Sequence, residues 1–227
     1  MSRLSKRMKE VGKAVGDVTN PVTLQEAVNR LSKAPKVKFD ETVELHFNLN
    51  LDLKSNDQGV RGTVALPHGT GKSVKVAVFC KGDALAKAES AGADYVGSND
   101  LIDKVAAGFM DFDVVISTPD MMRDLSKLGK VLGPRGLMPT PKAGTVTTDV
   151  ERTIKEVKAG RVEFKSDKQG GIHLGIGKRS FAENKLIENA QQVIEAINHA
   201  KPTTVKGTLI KSLSVASTMG PGIKVVL

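Results

Sequence analysis

Tryptophan is absent from this 227-residue chain, tyrosine occurs once and phenylalanine seven times, so aromatic residues make up only 4%. No expected strand carries the paired aromatics of a single-strand nucleic-acid reader, and base stacking cannot dominate any such binding. Cysteine also occurs once, as Cys80, inside the apolar run Val76-Ala77-Val78-Phe79-Cys80. A single thiol makes neither an intramolecular disulfide nor a cysteine-based zinc site, which predicts a reducing, cytoplasmic setting. No apolar run approaches the ~20 residues of a bilayer-crossing helix, because Lys, Asp or Glu interrupts every hydrophobic stretch. The four histidines, at 46, 68, 173 and 199, show no spacing that sets two on one helix or strand face as metal ligands. No Gly-x-Ser-x-Gly elbow supplies an acyl-transfer nucleophile, and Asp111 with Asp113 falls at a helix-to-strand junction that reads as a polar turn. These absences exclude a membrane-spanning chain and predict neither an enzyme nor a bound cofactor or metal.

What the chain has instead is positive charge: 34 Lys and Arg against 25 Asp and Glu, a formal net charge of +9. That balance favours polyanionic partners. With 40% hydrophobic and 26% charged residues, the composition is that of a globular protein. The first sixteen residues hold Arg3, Lys6, Arg7, Lys9 and Lys13 against Glu10 alone, with Leu4, Met8, Val11 and Val15 on one helical face. A docking helix is expected there rather than a targeting peptide. Thr23-Leu24-Gln25-Glu26 reads as a reciprocal capping box opening a second helix that Pro35 stops. Val43, Leu45, Phe47, Leu49 and Leu51 then alternate with polar residues, the period of a half-buried strand. A turn over Lys54 to Gly59 leads to a second strand, Val60 to Leu66.

From Val74 the pattern changes to short, continuously apolar strands (Val74 to Cys80, Tyr95-Val96, Val114 to Ser117) alternating with helices over Asp83 to Ala91, from Ser98 or Asn99, Met121 to Val131 and Val150 to Val157. That alternation predicts a parallel sheet covered on both faces. In the last third the half-buried strands of the opening segment come back, with Arg161 to Ser166 and Ile172 to Ile176 flanking a turn and reading as a hairpin. An amphipathic helix through Leu186 and Ile197 and strands Thr208 to Val215 and Ile223 to Leu227 follow. Net charges of +3 for residues 1–67, +1 for 68–159 and +5 for 160–227 support cuts near 67 and 160. Each end alone offers too few elements for a core, so the ends are expected to fold together around an inserted α/β domain.

Three segments are candidate sites. Leu66 to Ser73 resembles the end of a phosphate-binding loop, but its first position is Leu66 and a strand follows Ser73, so it reads as a flexible hinge. Leu132 to Lys142 is a Gly- and Pro-stiffened loop in a region where Arg123, Lys127, Lys130, Arg135 and Lys142 face only Asp124, which suggests phosphate contact. Ser217-Thr218-Met219-Gly220-Pro221 groups two hydroxyls, a polarizable thioether and a glycine at a strand end, where burial alone would favour β-branched residues. It reads as a contact surface, and separately the scarcity of aromatic residues points to a structured RNA recognised by shape, phosphate and 2′-hydroxyl as the chain's partner.

Taken together, Lys38-Phe39-Asp40-Glu41-Thr42-Val43-Glu44, Val60-Arg61-Gly62-Thr63-Val64, Leu66-Pro67-His68-Gly69, Gly92 to Gly97, Leu132 to Pro139, Pro141 to Val146, Lys158 to Arg161 and Ser217 to Pro221 resemble the ribosomal protein L-one family over essentially the whole chain. The resemblance implies an α/β and α+β fold of two domains. Residues 1–67 plus 160–227 would form a discontinuous ferredoxin- or RRM-like split β-α-β domain, and 68–159 a Rossmann-like three-layer insert. It further implies a structural protein of the large-subunit stalk, monomeric outside the ribosome. Its partners would be large-subunit ribosomal RNA, exit-site transfer RNA whose release it assists, and its own operon messenger, which it represses. Carried over by motif, the RNA contacts are Lys38, Phe39, Thr42, Glu44, Asp167, Lys168, Ser212, Thr218, Met219 and Gly220. Arg135 and Lys142 would face transfer RNA, and Pro67, Gly69 and Gly160 would form the hinge. A nucleotide-dependent enzyme and a general polyanion-binding module are the two rival readings.

Overall fold

A computed structural model of the chain describes residues 5–51, 59–203, 205 and 207–226. Leu4, Leu227 and the turn expected at Lys54 to Gly59, apart from Gly59, lie outside the described residues. The chain begins with α1 (Lys6–Val15), α2 (Leu24–Lys33), β1 (Thr42–Leu49) and β2 (Arg61–Ala65). Next come β3 (Val76–Phe79), α3 (Ala84–Ser90), β4 (Tyr95–Gly97), α4 (Asn99–Ala106), β5 (Val114–Ser117), the short α5 (Met122–Leu125) and α6 (Gly129–Leu132), and α7 (Val150–Ala159). It closes with β6 (Arg161–Lys165), β7 (Gly171–Lys178), α8 (Glu183–His199), β8 (Ile210–Ser217) and β9 (Ile223–Val225). These elements form two compact units, one from the described parts of Met1–Gly71 and Val162–Leu227, the other from Lys72–Arg161.

In the first unit β1 pairs antiparallel with both β7 and β8, so those two run parallel with β1 between them, and α8 makes the crossover: a split β-α-β unit. β9 completes the sheet order β7-β1-β8-β9. The period-two pattern of β1 sends Val43, Leu45, Phe47 and Leu49 into one core with Val28 and Leu31 of α2 and Ala190, Val193 and Ile197 of α8. Val11 and Val15 bring α1 into that core, which accounts for the apolar face of its basic sequence. At α2 only half of the expected capping box forms. The Thr23 hydroxyl accepts from the Glu26 N–H at 3.2 Å, but the Glu26 carboxylate is taken by Arg30 one turn on.

Two strands pair differently from the sequence reading. β6 and β7 do not form a hairpin: β6 pairs with β2 in a separate two-stranded sheet, while β7 joins β1. The Asp167–Gly171 turn between them reverses the chain, yet each strand finds its apolar partner elsewhere, Phe164 of β6 stacking its ring over Gly62 of β2. The first unit runs to Gly71 and resumes at Val162, close to the cuts expected near 67 and 160. Pro67 and Gly69, expected as hinge, sit in a turn pinned from α8: buried Asn189 accepts from His68 N–H at 3.1 Å and donates to Gly69 O at 3.0 Å.

In the second unit β4, β3 and β5 form a parallel sheet in that order. Successive residues of β3 point to opposite faces: Ala77 and Phe79 pack with Leu101, Val105 and Met121, while Val76 and Val78 pack with Ala88, Ile154 and Val157. Both faces are covered, as continuous apolar strands require. Cys80 is fully buried at the end of β3, and burial pushes its thiol pKa up, so it is a poor nucleophile. The single helix expected over Met121 to Val131 is instead broken into short α- and 3₁₀-helical pieces. Ser126 turns its hydroxyl back onto Met122 O at 2.9 Å, and Gly129 adds backbone freedom, while Met121, Leu125, Leu128 and Leu132 all stay buried.

Candidate nucleic-acid interface

The open face of the four-stranded sheet is the one that α2 and α8 leave uncovered. On β1 it presents Thr42, Glu44, His46 and Asn48. Opposite Glu44, His46 and Asn48 stand Gly175, His173 and Gly171 on β7 and Ala216, Ser214 and Ser212 on β8, with Lys224 of β9 beyond Ser214. It is polar and built mostly of small residues, and among the described residues that these strands present there the only rings are the two histidines, so a partner can lie close to the backbone.

At one end of this face the turn after β8 is locked from beneath by a buried ion pair. Glu41, 1% exposed, accepts from Arg179 Nη1 at 2.6 Å through Oε2. Through Oε1 it accepts from the Ser217 hydroxyl at 3.2 Å and the Met219 N–H at 3.0 Å. Arg7 of α1 donates to Met219 O at 3.0 Å and lies 3.9 Å from Glu41 Oε1. Arg179 also donates to the carbonyls of Ser32, Ala34 and Pro35, closing the C-terminus of α2. Thr42 and Thr218 interlock beside this pair: Thr42 N–H donates to the Thr218 hydroxyl at 3.0 Å and Thr218 N–H to Thr42 O at 3.0 Å. The Thr218 hydroxyl is therefore first a positioning group. Ser217, read as part of an exposed contact turn, is buried on Glu41.

This scaffold leaves Met219 half exposed, and Phe39, in the segment before β1, is 54% exposed. Phe39 rims a cavity of about 450 Å³ whose lining includes Lys36, Glu41 and Arg179. Gly220 is required by space: a Cβ there would overlap Ser217 Oγ, which is bound to Glu41. Gly220→Ala should lower unfolding stability by about 1–2 kcal/mol. Adding Ser217→Ala should recover most of that loss in a double-mutant cycle followed by urea denaturation. Additive losses would mean that the crowding is elsewhere.

At the far end Asp167 closes the turn into β7, its carboxylate accepting from the N–H groups of Gln169 at 2.8 Å and Gly171 at 2.6 Å. The Gly171 bond, then that from Gln169, holds its pKa below the ordinary aspartate value. Lys168 is exposed in that turn, and Ser212 stands across from Asn48. The structure thus sets Thr42, Thr218, Met219 and Gly220 at one end, Asp167 and Ser212 at the other, and Glu44 between them. Lys38 is exposed two residues before Asp40, whose carboxylate takes the Ser180 hydroxyl at 2.7 Å. In the second unit Arg135 and Lys142 are exposed on a loop braced by Thr140 and Thr145, with Gly144 in the left-handed conformation. Sequence reasoning missed Glu41, Arg179 and Arg7, and it missed that His46 faces His173.

A model of the ribosomal protein L1p/L10e family matches residues 31–221, a stretch that holds both Glu41 and the turn it locks. The chain belongs to that family. Full-length relatives agree. The large ribosomal subunit protein uL1 of Protochlamydia amoebophila is 55% identical over 225 residues, 99% of this chain and 95% of that protein. Those of Thermosipho melanesiensis and Kosmotoga olearia are 54% and 53% identical, each over 99% of this chain and 97% and 96% of their own lengths. As an L1p/L10e-family member the chain is a structural protein rather than an enzyme. Among the described residues no helix is long and apolar enough to cross a membrane.

Proposed function

We propose that this protein is a component of the large ribosomal subunit whose first unit grips a structured region of large-subunit ribosomal RNA. Met219, held half exposed on a turn whose backbone a buried carboxylate immobilises, carries that reading, because the turn's backbone is already ordered before binding and its adaptable thioether can pack against sugar and backbone atoms. Lys38, Phe39, Thr42, Lys168, Thr218 and Gly220 flank it or extend it along the open face. Glu44, Asp167 and Ser212 supply acceptors for 2′-hydroxyl and base N–H donors, which a bare polyanion trap would lack. The same face would bind a mimic in the protein's own messenger and repress its translation in the cytoplasm. The second unit, with Arg135 and Lys142 exposed, would approach exit-site transfer RNA and assist its release. Gly160, at a positive φ of 112° where α7 ends, is the hinge residue this reading keeps, while Pro67 and Gly69 act as the anchored side of the joint.

Met219→Asp should weaken binding to a stalk-RNA transcript by about 1–3 kcal/mol with melting behaviour intact, since it sets a carboxylate beside phosphates at an exposed turn. Filter binding at several salt concentrations checks this, with unlabelled transfer RNA as competitor. Wild-type affinity in the variant would remove the turn from the interface. Equal competition by transfer RNA would instead favour the general polyanion-binding reading.

A further inference from the structure

Midway along the open face, the register of β1 and β7 sets His46 directly opposite His173. Their Nδ1 atoms are 2.9 Å apart and their ring centroids 5.1 Å. That separation is a hydrogen bond, and two neutral imidazoles make it only when one carries its hydrogen on Nδ1 and the other on Nε2. One added proton enters at the free Nε2 of the donor ring and leaves the bond intact, now strengthened by charge. A second proton would have to enter between the rings, breaking the bond and setting two cations face to face. The pair therefore accepts one proton as a unit.

We infer that this histidine pair is a further RNA-contacting element of the face, which takes up a single proton as it closes on an RNA phosphate; the inference rests on the RNA reading above. Asn48, Ser212, Ser214 and Asp167 surround the pair in a cavity of about 350 Å³. The charged groups around it are Glu44, 3.9 Å from His46 Nε2, Asp167, 3.9 Å from His173 Nε2, Lys224 on β9, Lys211 in the adjacent bulge of β8, and Lys168 in the turn. Among the described residues, the helices packed on this sheet, α2 and α8, lie against its other face. Burial, then the neighbouring His173, holds the His46 pKa below the ordinary histidine value, while Glu44 works against that shift. A phosphate arriving at the cavity stabilises the imidazolium, and by linkage RNA binding then strengthens as pH falls.

The test is binding of the full chain to a large-subunit stalk-RNA transcript at constant ionic strength, by calorimetry in buffers of different ionisation enthalpy. Wild-type protein should bind about five-fold tighter near pH 6 than near pH 7.5, within the tenfold per pH unit that one proton allows. Averaged over that range its proton uptake should be about half a proton, and at no pH should it exceed one. The His46→Asn/His173→Asn double variant should melt like wild type and bind with a flat pH response. Protonation of the RNA or of His68 and His199 would be common to both proteins and cancels in the comparison. A flat wild-type profile, or a rise that survives in the double variant, overturns the inference and leaves the RNA reading standing. No binding by wild-type protein at any pH sinks both.

Discussion

Glu41→Ala should cost the first unit about 3–5 kcal/mol of stability, the effect expected when one partner of a buried ion pair is removed and the other stays. Arg179 keeps a side chain only 9% exposed and loses its single carboxylate. It retains carbonyl partners at the end of α2, so the variant should still fold, at reduced stability. The Ser217 hydroxyl and Met219 N–H lose the same acceptor, which frees the turn, so RNA affinity should fall further than in Met219→Asp. Glu41→Gln separates shape from charge. Its carbonyl oxygen can still accept from Ser217 and Met219, but its amide meets Arg179 donor to donor, and an intermediate loss of about 2 kcal/mol follows. Tyr95 is the chain's only tyrosine, no tryptophan is present, and Tyr95 lies in the second unit. Its fluorescence therefore reports that unit alone, whereas far-ultraviolet circular dichroism reports both. The dichroism transition should move in Glu41→Ala while the Tyr95 transition does not. A shift below about 1 kcal/mol would mean that solvent, not Glu41, satisfies Arg179.

Local periodicity made most elements legible. The alternation from Val43 to Leu49 is β1, and the continuous apolar run through Val76 to Phe79 is a strand covered on both faces. It failed where the outcome depended on partners far along the chain. Residues 161–178 read locally as two strands and a turn, and nothing within them says that β6 prefers β2 while β7 prefers β1. The helix expected over Met121 to Val131 failed for a local reason that its apolar spacing concealed. The buried side chains recur at helical intervals, but Ser126 and Gly129 let the backbone between them tighten and break.

The candidate site divides in the same way. Met219 and Gly220 stood out because thioether and glycine are poor choices for a buried strand end, and the structure leaves Met219 exposed and Gly220 crowded. Glu41 carried a signal that went unused. Extending the inward parity of Val43, Leu45, Phe47 and Leu49 one step back places a carboxylate on the core side, where it must find a cation. Which cation was not legible, since Arg179 is separated by 138 residues and Arg7 belongs to another helix. The His46–His173 contact was hidden by the same distance: each histidine is unremarkable in its own strand, and only the register of β1 against β7 joins them.

Asn189→Ala is the second large effect expected, about 2–4 kcal/mol of destabilisation of the first unit. Asn189 is fully buried in the middle of α8, where an amide needs partners, and it has three. Its Oδ1 accepts from the His68 N–H, and its Nδ2 donates to Gly69 O and to Ile176 O, the last at 2.7 Å. Ile176 is available because a bulge in β7 takes it out of the ladder: Val43 pairs with Gly177 and Glu44 with Gly175, leaving Ile176 with no partner on β1. Deleting the amide orphans that carbonyl along with the Leu66–Gly69 turn, and the roughly 0.5 kcal/mol by which alanine favours a helix interior offsets little of the loss. Asn189→Asp keeps the acceptor for His68 but points a carboxylate oxygen at two carbonyls, so it should be at least as damaging as alanine near neutral pH. Protonating that carboxylate restores one donor, and the aspartate variant should therefore regain part of its deficit as pH falls toward 5. Urea unfolding followed by circular dichroism, with amide exchange at His68 as the local readout, checks both variants. Unchanged protection of the His68 amide in Asn189→Ala would show that the turn is held by its own backbone bond, Gly69 N–H to Leu66 O, and that the asparagine serves β7 alone.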